Sequence, residues 1–167
     1  IFVSYDSADV WANRDVFKLD DNGEMLVVAG VPPDYFSATG QRWGNPHFNW
    51  HYLRKTSFLW WIDRLQTQLE LFDHFRGLEA AWEIPTTDDT AINGQWVKAP
   101  GKALLSAIKD ALGDIPLVAE DLGIITAEVE ELRDEFNLPG MKILQFAFGD
   151  DPDNPYLPSN YNPNCVA

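Results

Sequence analysis

The chain has 167 residues, 46% of them hydrophobic, a globular composition long enough to enclose a sizeable core. Its formal net charge of -14, from 12 Lys and Arg against 26 Asp and Glu, excludes nucleic acid and membrane surfaces as partners and suits a neutral ligand such as a sugar. The single cysteine, Cys165, rules out an internal disulfide and fits a cytoplasmic location, and no stretch approaches the roughly 18 apolar residues of a membrane helix.

Ile1 to Tyr5 read as the second half of a strand. No start Met, turn or signal-peptide pattern precedes them, so the expectation is an internal piece of a longer protein. Asp6 to Gln41 reads mostly as a long connection, interrupted by the apolar piece Met25 to Ala29 and closed by a loop between Pro32-Pro33 and Gly40. A helix is expected from after Pro46 to about Leu71. Phe58, Trp61, Ile62, Leu65 and Leu69 recur there at spacings of three and four and make one apolar stripe.

A second helix is expected from about Pro100 to Leu112, with Leu104, Leu105, Ile108, Ala111 and Leu112 inward and Gly113 just past its end. Ile115 to Ala119 reads as a buried strand, followed by Glu120-Asp121-Leu122-Gly123. Thr126 is the expected N-cap of a third helix, with Glu128 and Glu130 in its first turn and Val129, Leu132 and Phe136 inward. Pro139-Gly140 then turns the chain into an apolar strand, Lys142 to Phe148. Strand, helix and strand with short loops argue for an α/β fold with parallel strands. After Asp150 the chain is rich in Pro and Asn and reads as loop.

Two segments carry candidate chemistry. Glu120 and Asp121 stand where a buried strand ends, the place where α/β barrels gather their active sites. A carboxylate beside an apolar strand suits a general acid; carboxylates there also suit a helix N-terminus, and the segment alone does not separate the two. Phe72-Asp73-His74-Phe75-Arg76-Gly77 interleaves aromatics with an acid, a donor and a cation. That suits an anionic nucleophile with donors for sugar hydroxyls, the alternative being an ordinary ion pair at a helix-to-strand connection. Retaining glycoside chemistry needs two carboxyl groups about 5–5.5 Å apart. His47, His51 and His74 lack metal-ligand spacing, so no metal is expected, and no cofactor. Aromatics are 13% of the chain with seven Trp, most of them expected in the core and a few against sugar rings.

Several motifs together resemble a known family. They are Asp6-Ser7-Ala8-Asp9-Val10-Trp11, Val31-Pro32-Pro33-Asp34-Tyr35-Phe36-Ser37-Ala38-Thr39-Gly40-Gln41, Trp43-Gly44-Asn45-Pro46, Asp73 to Gly77, Ala119 to Gly123 and Leu138 to Phe148. These resemble the amylomaltases, or disproportionating enzymes, of glycoside hydrolase family 77, across essentially the whole chain. The resemblance implies a (β/α)₈ TIM barrel, present here as a partial central portion over residues 1–167. It implies transfer of α-1,4-glucan segments by double displacement. Asp73 corresponds to the nucleophile, Glu120 to the acid/base, and residues 31–46 to a glucan-binding loop. Tyr35, Phe36, Gln41, Trp43, His74, Arg76, Asp121 and Asp150 are the implied sugar contacts, and the partner is a maltooligosaccharide or α-glucan.

The chain also departs from the family pattern. A complete barrel takes about 250 residues. The family's third carboxylate, in a Thr-His-Asp-Asn motif, would follow the residues resembling Asn164 to Ala167. The family's Arg two residues before the nucleophile is replaced by Leu71, and about five residues are missing there. Leu69 to Phe72 therefore serve either as a last helical turn or as the strand that aims Asp73. The expectation is a 4-α-glucanotransferase lineage and an isolated chain without activity. An α-glucan hydrolase of the amylase clan and a non-catalytic glucan-binding remnant are the competing readings.

Overall fold

The computed structural model describes residues 2–67, 71–114, 117–123, 125–149 and 151–167. Leu69, Ile115 and Asp150, to which the sequence assigns roles, lie outside them.

The first correction falls at the start. Residues 2–5 form no strand; Val3 is buried, and its carbonyl accepts a bond from the Asn45 side-chain amide at 3.0 Å. The stretch from Asp6 to Gln41 is also more ordered than a connection. The Ser7 hydroxyl accepts a bond from the Val10 amide and opens helix α1 (Ala8–Ala12), and a 3-10 turn covers Arg14–Val16. Strand β1 (Val27–Val31) follows, and Gln41–Pro46, expected as loop, is strand β2.

The single helix expected after Pro46 is two: α2 (Trp50–Lys55), capped by the Asn49 side chain, and α3 (Leu59–Thr67). Ser57 and Phe58 between them both take left-handed backbone, with φ of 53° and 57°. Such residues cost roughly 1–3 kcal/mol each. Phe58 recovers that cost by burial, and its amide closes on the Leu53 carbonyl at 2.7 Å. No Gly or Pro marks the break, so the apolar stripe read straight through it.

Leu71–Phe72, the two residues directly before Asp73, form a strand, β3. Strands β4 (Ala80–Pro85) and β5 (Gln95–Lys98) then join β1 and β2 in an antiparallel sheet of order β2-β1-β4-β5. The α/β reading did not foresee this sheet. Its outer strands, Gln-Arg-Trp-Gly-Asn-Pro and Gln-Trp-Val-Lys, are polar and largely exposed and show no alternating apolar face.

Helix α4 (Gly101–Leu112) forms where expected, with Pro100 at its N-cap; Leu104, Leu105 and Ile108 are buried, whereas Ala111, expected inward, is exposed, and α5 (Ala127–Glu135) has Thr126 at its N-cap. Strand β6 (Val118–Ala119) lies parallel to β3. The expected strand Lys142 to Phe148 is a further correction. The ladder holds only at β7 (Gly140–Met141), parallel to β8 (Cys165–Val166), and Leu144–Ala147 coil into a 3-10 turn. Leu144, Phe146 and Phe148 are exposed, so this apolar run has no sheet face to bury against.

The main core packs α2, α3, α4 and α5 around β3 and β6, with Phe17, Leu53, Phe75, Leu78, Leu104 and Val129 fully enclosed. Each such side chain stabilises the fold by about 1.5–3 kcal/mol. Val28, Ile84 and Ala91 form a smaller core under the antiparallel sheet. The observed class is thus mixed α/β, with parallel strands at the site and an antiparallel sheet beside it.

Candidate active site

Leu71 pairs with Val118 and Phe72 with Ala119. Asp73 and Glu120 are the next residues on the two strands, so both acids leave adjacent, co-directed strand ends. The Glu120 amide donates to the Phe72 carbonyl at 3.0 Å, and the Phe75 amide to the Glu120 carbonyl at 3.1 Å. The Glu120 carboxylate is held as firmly. Its Oε2 accepts from the His74 amide at 2.7 Å and its Oε1 from the Leu122 amide at 3.1 Å. Glu120 is therefore fastened to the backbone that carries Asp73.

The turn after Asp73 explains that geometry. His74 is left-handed (φ 54°, ψ 51°) and leads into the 3-10 turn Phe75–Leu78, anchored by buried Phe75 and Leu78. Asp73 itself is exposed. The His74 ring meets the edge of Trp43 at 5.0 Å and Phe2 at 5.8 Å. Burial pulls its pKa down to about 4 against the opposing charge of Asp73, so at neutral pH it is an uncharged imidazole. Its Nε2 is buried and makes no hydrogen bond among the described residues. His47, against the same Phe2 ring, is also lowered by burial, with the Glu83 carboxylate opposing.

The implied sugar contacts are spread over several elements. Tyr35 and Phe36 are 85% and 78% exposed at the tip of a built turn, their rings 4.0 Å apart. Asp34 makes that turn by accepting the Phe36 and Ser37 amides at 2.9 and 2.8 Å. Gln41 and Trp43 lie on β2, joined by a 3.1 Å bond from the indole N–H to the amide oxygen, and Trp43 brings β2 against His74. Arg76 lies with its guanidinium 4.1 Å from the centre of the Trp96 ring, and burial lowers its pKa. Asp121 faces inward. Its carboxylate accepts from Arg133 Nη1 at 2.5 Å and from the Met141 amide at 2.8 Å, with 5% of its side chain exposed. Asp150 lies outside the described residues.

One neighbour escaped the sequence reading. The Tyr156 phenol is pushed up by burial and then by the charges of Asp121 and Glu120, with Tyr35 also in range. The segment after Asp150 folds back onto Phe146 and Lys142. Tyr156 packs edge-on to Phe146 at 5.2 Å and under the Lys142 ammonium at 5.4 Å. Its only signal in the sequence was an aromatic residue after Pro155 in a polar, Asn-rich run. Among the described residues no group of three or more His, Cys, Asp or Glu is placed to hold a metal.

Comparison with known proteins agrees with these motifs. The model of glycoside hydrolase family 77, described as 4-alpha-glucanotransferase, matches residues 1–167. The 4-alpha-glucanotransferase of Thermus thermophilus is 59% identical over 166 residues, covering 96% of this chain and 33% of the relative. That of Synechocystis is 57% identical over 174 residues, and the chloroplastic/amyloplastic one of Solanum tuberosum 49% over 171. An amylomaltase from Streptococcus agalactiae, solved in complex with acarbose, superposes with a TM-score of 0.93 at 43% identity, over 99% of this chain and 34% of that one. An amylomaltase from Corynebacterium glutamicum, 22% identical, shares the fold at a TM-score of 0.81. The chain spans about a third of the length of the curated relatives it matches.

Proposed function

Since the chain belongs to the 4-alpha-glucanotransferase family, glycoside hydrolase family 77, we propose that it carries the two reacting carboxylates of an α-1,4-glucan transferase, Asp73 and Glu120. The supporting observation is the placement of these acids at the ends of paired parallel strands, tied by the Glu120–His74 bond. Neighbouring strands lie roughly 4.8 Å apart, close to the 5–5.5 Å that retaining chemistry requires.

Asp73, exposed to the site, attacks the anomeric carbon through its carboxylate oxygen and displaces the glucan's leaving oxygen. Glu120 protonates that oxygen. In the second displacement Glu120 takes the proton of an acceptor sugar hydroxyl, which attacks the same carbon and releases Asp73. The two amides fix the plane of the Glu120 carboxyl group while each oxygen keeps a lone pair for the reacting hydroxyl. A neutral His74 beside Asp73 adds no positive charge to weaken the nucleophile. Tyr35, Phe36, Gln41 and Trp43 hold the glucan over the site, within a binding segment at residues 31–46. An aromatic wall that excludes water favours transfer over hydrolysis. Arg76 and Asp121 support the two turns, Arg76 from the Trp96 side and Asp121 from below.

The segment forms the central part of a (β/α)₈ barrel, and the protein is cytoplasmic. Its substrates are maltooligosaccharides, without nucleic acid or membrane. The test replaces the matching segment of the Thermus thermophilus relative with this chain. The hybrid should disproportionate maltotriose while conserving the number of glycosidic bonds. Glu120→Gln should lower the rate at least about 100-fold, the floor for losing an acid–base group, and Asp73→Asn, which removes the nucleophile, by no less. A hybrid that disproportionates at full rate with both substitutions would overturn the assignment, and new reducing ends would favour hydrolysis.

A further inference from the structure

Trp11 is 69% exposed, the most exposed of the seven Trp residues, and the chemistry above gives it no task. Its surroundings are built. The Asp20 carboxylate accepts the Asn22 and Glu24 amides, each at 2.9 Å, and closes a turn in which Gly23 has φ +90°. Tyr5 bolts that turn down by donating its hydroxyl to the Gly23 carbonyl at 3.1 Å, with Glu24 Oε2 3.3 Å away. The Arg14 guanidinium lies across Gly23, where a Cβ would come within 2.9 Å of Nη1. The same guanidinium reaches to 5.3 Å from the centre of the Trp11 ring.

Between α1 and this turn is a concavity of about 310 Å³, bordered by Tyr5, Asp6, Trp11, Arg14, Asn22 and Glu24. It shares no residue with the Asp73–Glu120 site. Ligand clefts begin at roughly this size. The lining pairs an open aromatic face with planar donors (Arg14, Asn22) and carboxylate acceptors (Asp6, Glu24). A pyranose presents the complementary surface, with apolar C–H faces and a rim of vicinal hydroxyls that both donate and accept. An anionic ligand is disfavoured by Asp6, Glu24 and the overall charge of -14. A purely apolar one would leave the rim's polar groups without partners.

We propose that this pocket is a second saccharide site, which holds an α-1,4-glucan chain apart from the bond being exchanged. The choice of glucan over other sugars rests on the transferase reading. The test follows intrinsic Trp fluorescence and heat on titrating the 167-residue chain, in low-salt buffer, with maltoheptaose and with cellohexaose. Wild type should show saturable maltoheptaose binding. Trp11→Ala and, as a milder change on the exposed rim, Arg14→Gln should each weaken one binding phase at least tenfold, while Asp73→Asn leaves that phase intact. Equal binding by wild type, Trp11→Ala and Arg14→Gln, with loss in Trp43→Ala, would overturn the second site and leave the transferase reading standing. Saturable binding of cellohexaose alone would keep a saccharide pocket but refute its glucan assignment. Absence of binding by wild type would overturn the pocket, and the hybrid enzyme would then decide the transferase reading separately.

Discussion

His74 shows how one residue couples the site to stability. Its folded pKa is about 4, against an ordinary value of 6.5, because burial disfavours the charged ring. The folded state therefore binds fewer protons than the unfolded chain between those values. The sign follows: this contribution is complete above pH 6.5 and is lost progressively as pH falls toward 4. The whole fall from 6.5 to about 4 corresponds to about 3 kcal/mol as an upper bound. Between pH 7 and pH 5 the loss is about 2 kcal/mol. His74→Asn suits the left-handed backbone, which Asn tolerates, and removes the titration. Urea midpoints in low-salt buffer should fall less between pH 7 and pH 5 in this variant than in wild type. Identical pH slopes would show that His74 titrates normally. The sequence offered Asp73 and His74 as candidates because acids and aromatics interleave there, and Glu120 because it follows a buried strand. It carried no sign of the left-handed turn: His enters that conformation more often than most non-Gly residues, yet in a minority of cases, so the residue alone does not mark it.

At the level of elements, the turn after β6 is set by a buried pair. Burial works against the Arg133 charge, but hydrogen bonds to Asp134 and Asp121 more than offset it and raise its pKa. Asp121 ties α5 to β6 through Arg133 and ties β7 to β6 through the Met141 amide. Gly140 leaves room for this, because a Cβ there would lie 2.6 Å from Asp121 Oδ2. Removing one partner of a buried pair costs about 3–5 kcal/mol, since the other charge is stranded. Arg133→Leu should therefore destabilise by about 3 kcal/mol, and Arg133→Leu with Asp121→Asn by less. Gly140→Ala should cost about 1–3 kcal/mol by overpacking. Chemical unfolding of the three variants measures this, and a double variant less stable than Arg133→Leu would refute the pairing. Here the sequence spoke only in part. Pro100, Leu104, Ile108, Thr126 and Val129 marked α4 and α5 through capping and period. The resemblance implied Asp121 as a sugar contact; the return of α5 and β7, which sequence order does not show, gives its carboxylate an inward partner. The antiparallel sheet was illegible for a related reason: Gln41–Pro46 is a strand because β1 and Trp43's neighbours hold it, not because its residues favour one.

For the whole molecule, the balance between charge and exposed apolar surface decides behaviour in solution. Leu144, Phe146 and Phe148 are 51%, 54% and 83% exposed along one short run, and among the described residues the parallel ladders β3–β6 and β7–β8 pair two residues each. Such a surface invites self-association. The net charge of -14 opposes it, but through a field that reaches about 10 Å at 0.1 M salt and only about 3 Å at 1 M. Salt should therefore tip the balance. Light scattering of the purified chain should give a mass near 18.9 kDa at low ionic strength and a rising mass as NaCl is added. The same preparation should not disproportionate maltotriose at any salt concentration, because two short parallel ladders leave the walls around Asp73 and Glu120 open to water, which competes with an acceptor sugar. A chain that stays monomeric at 1 M NaCl, or that converts maltotriose to glucose and longer maltodextrins, would show that the described surfaces close the site by themselves.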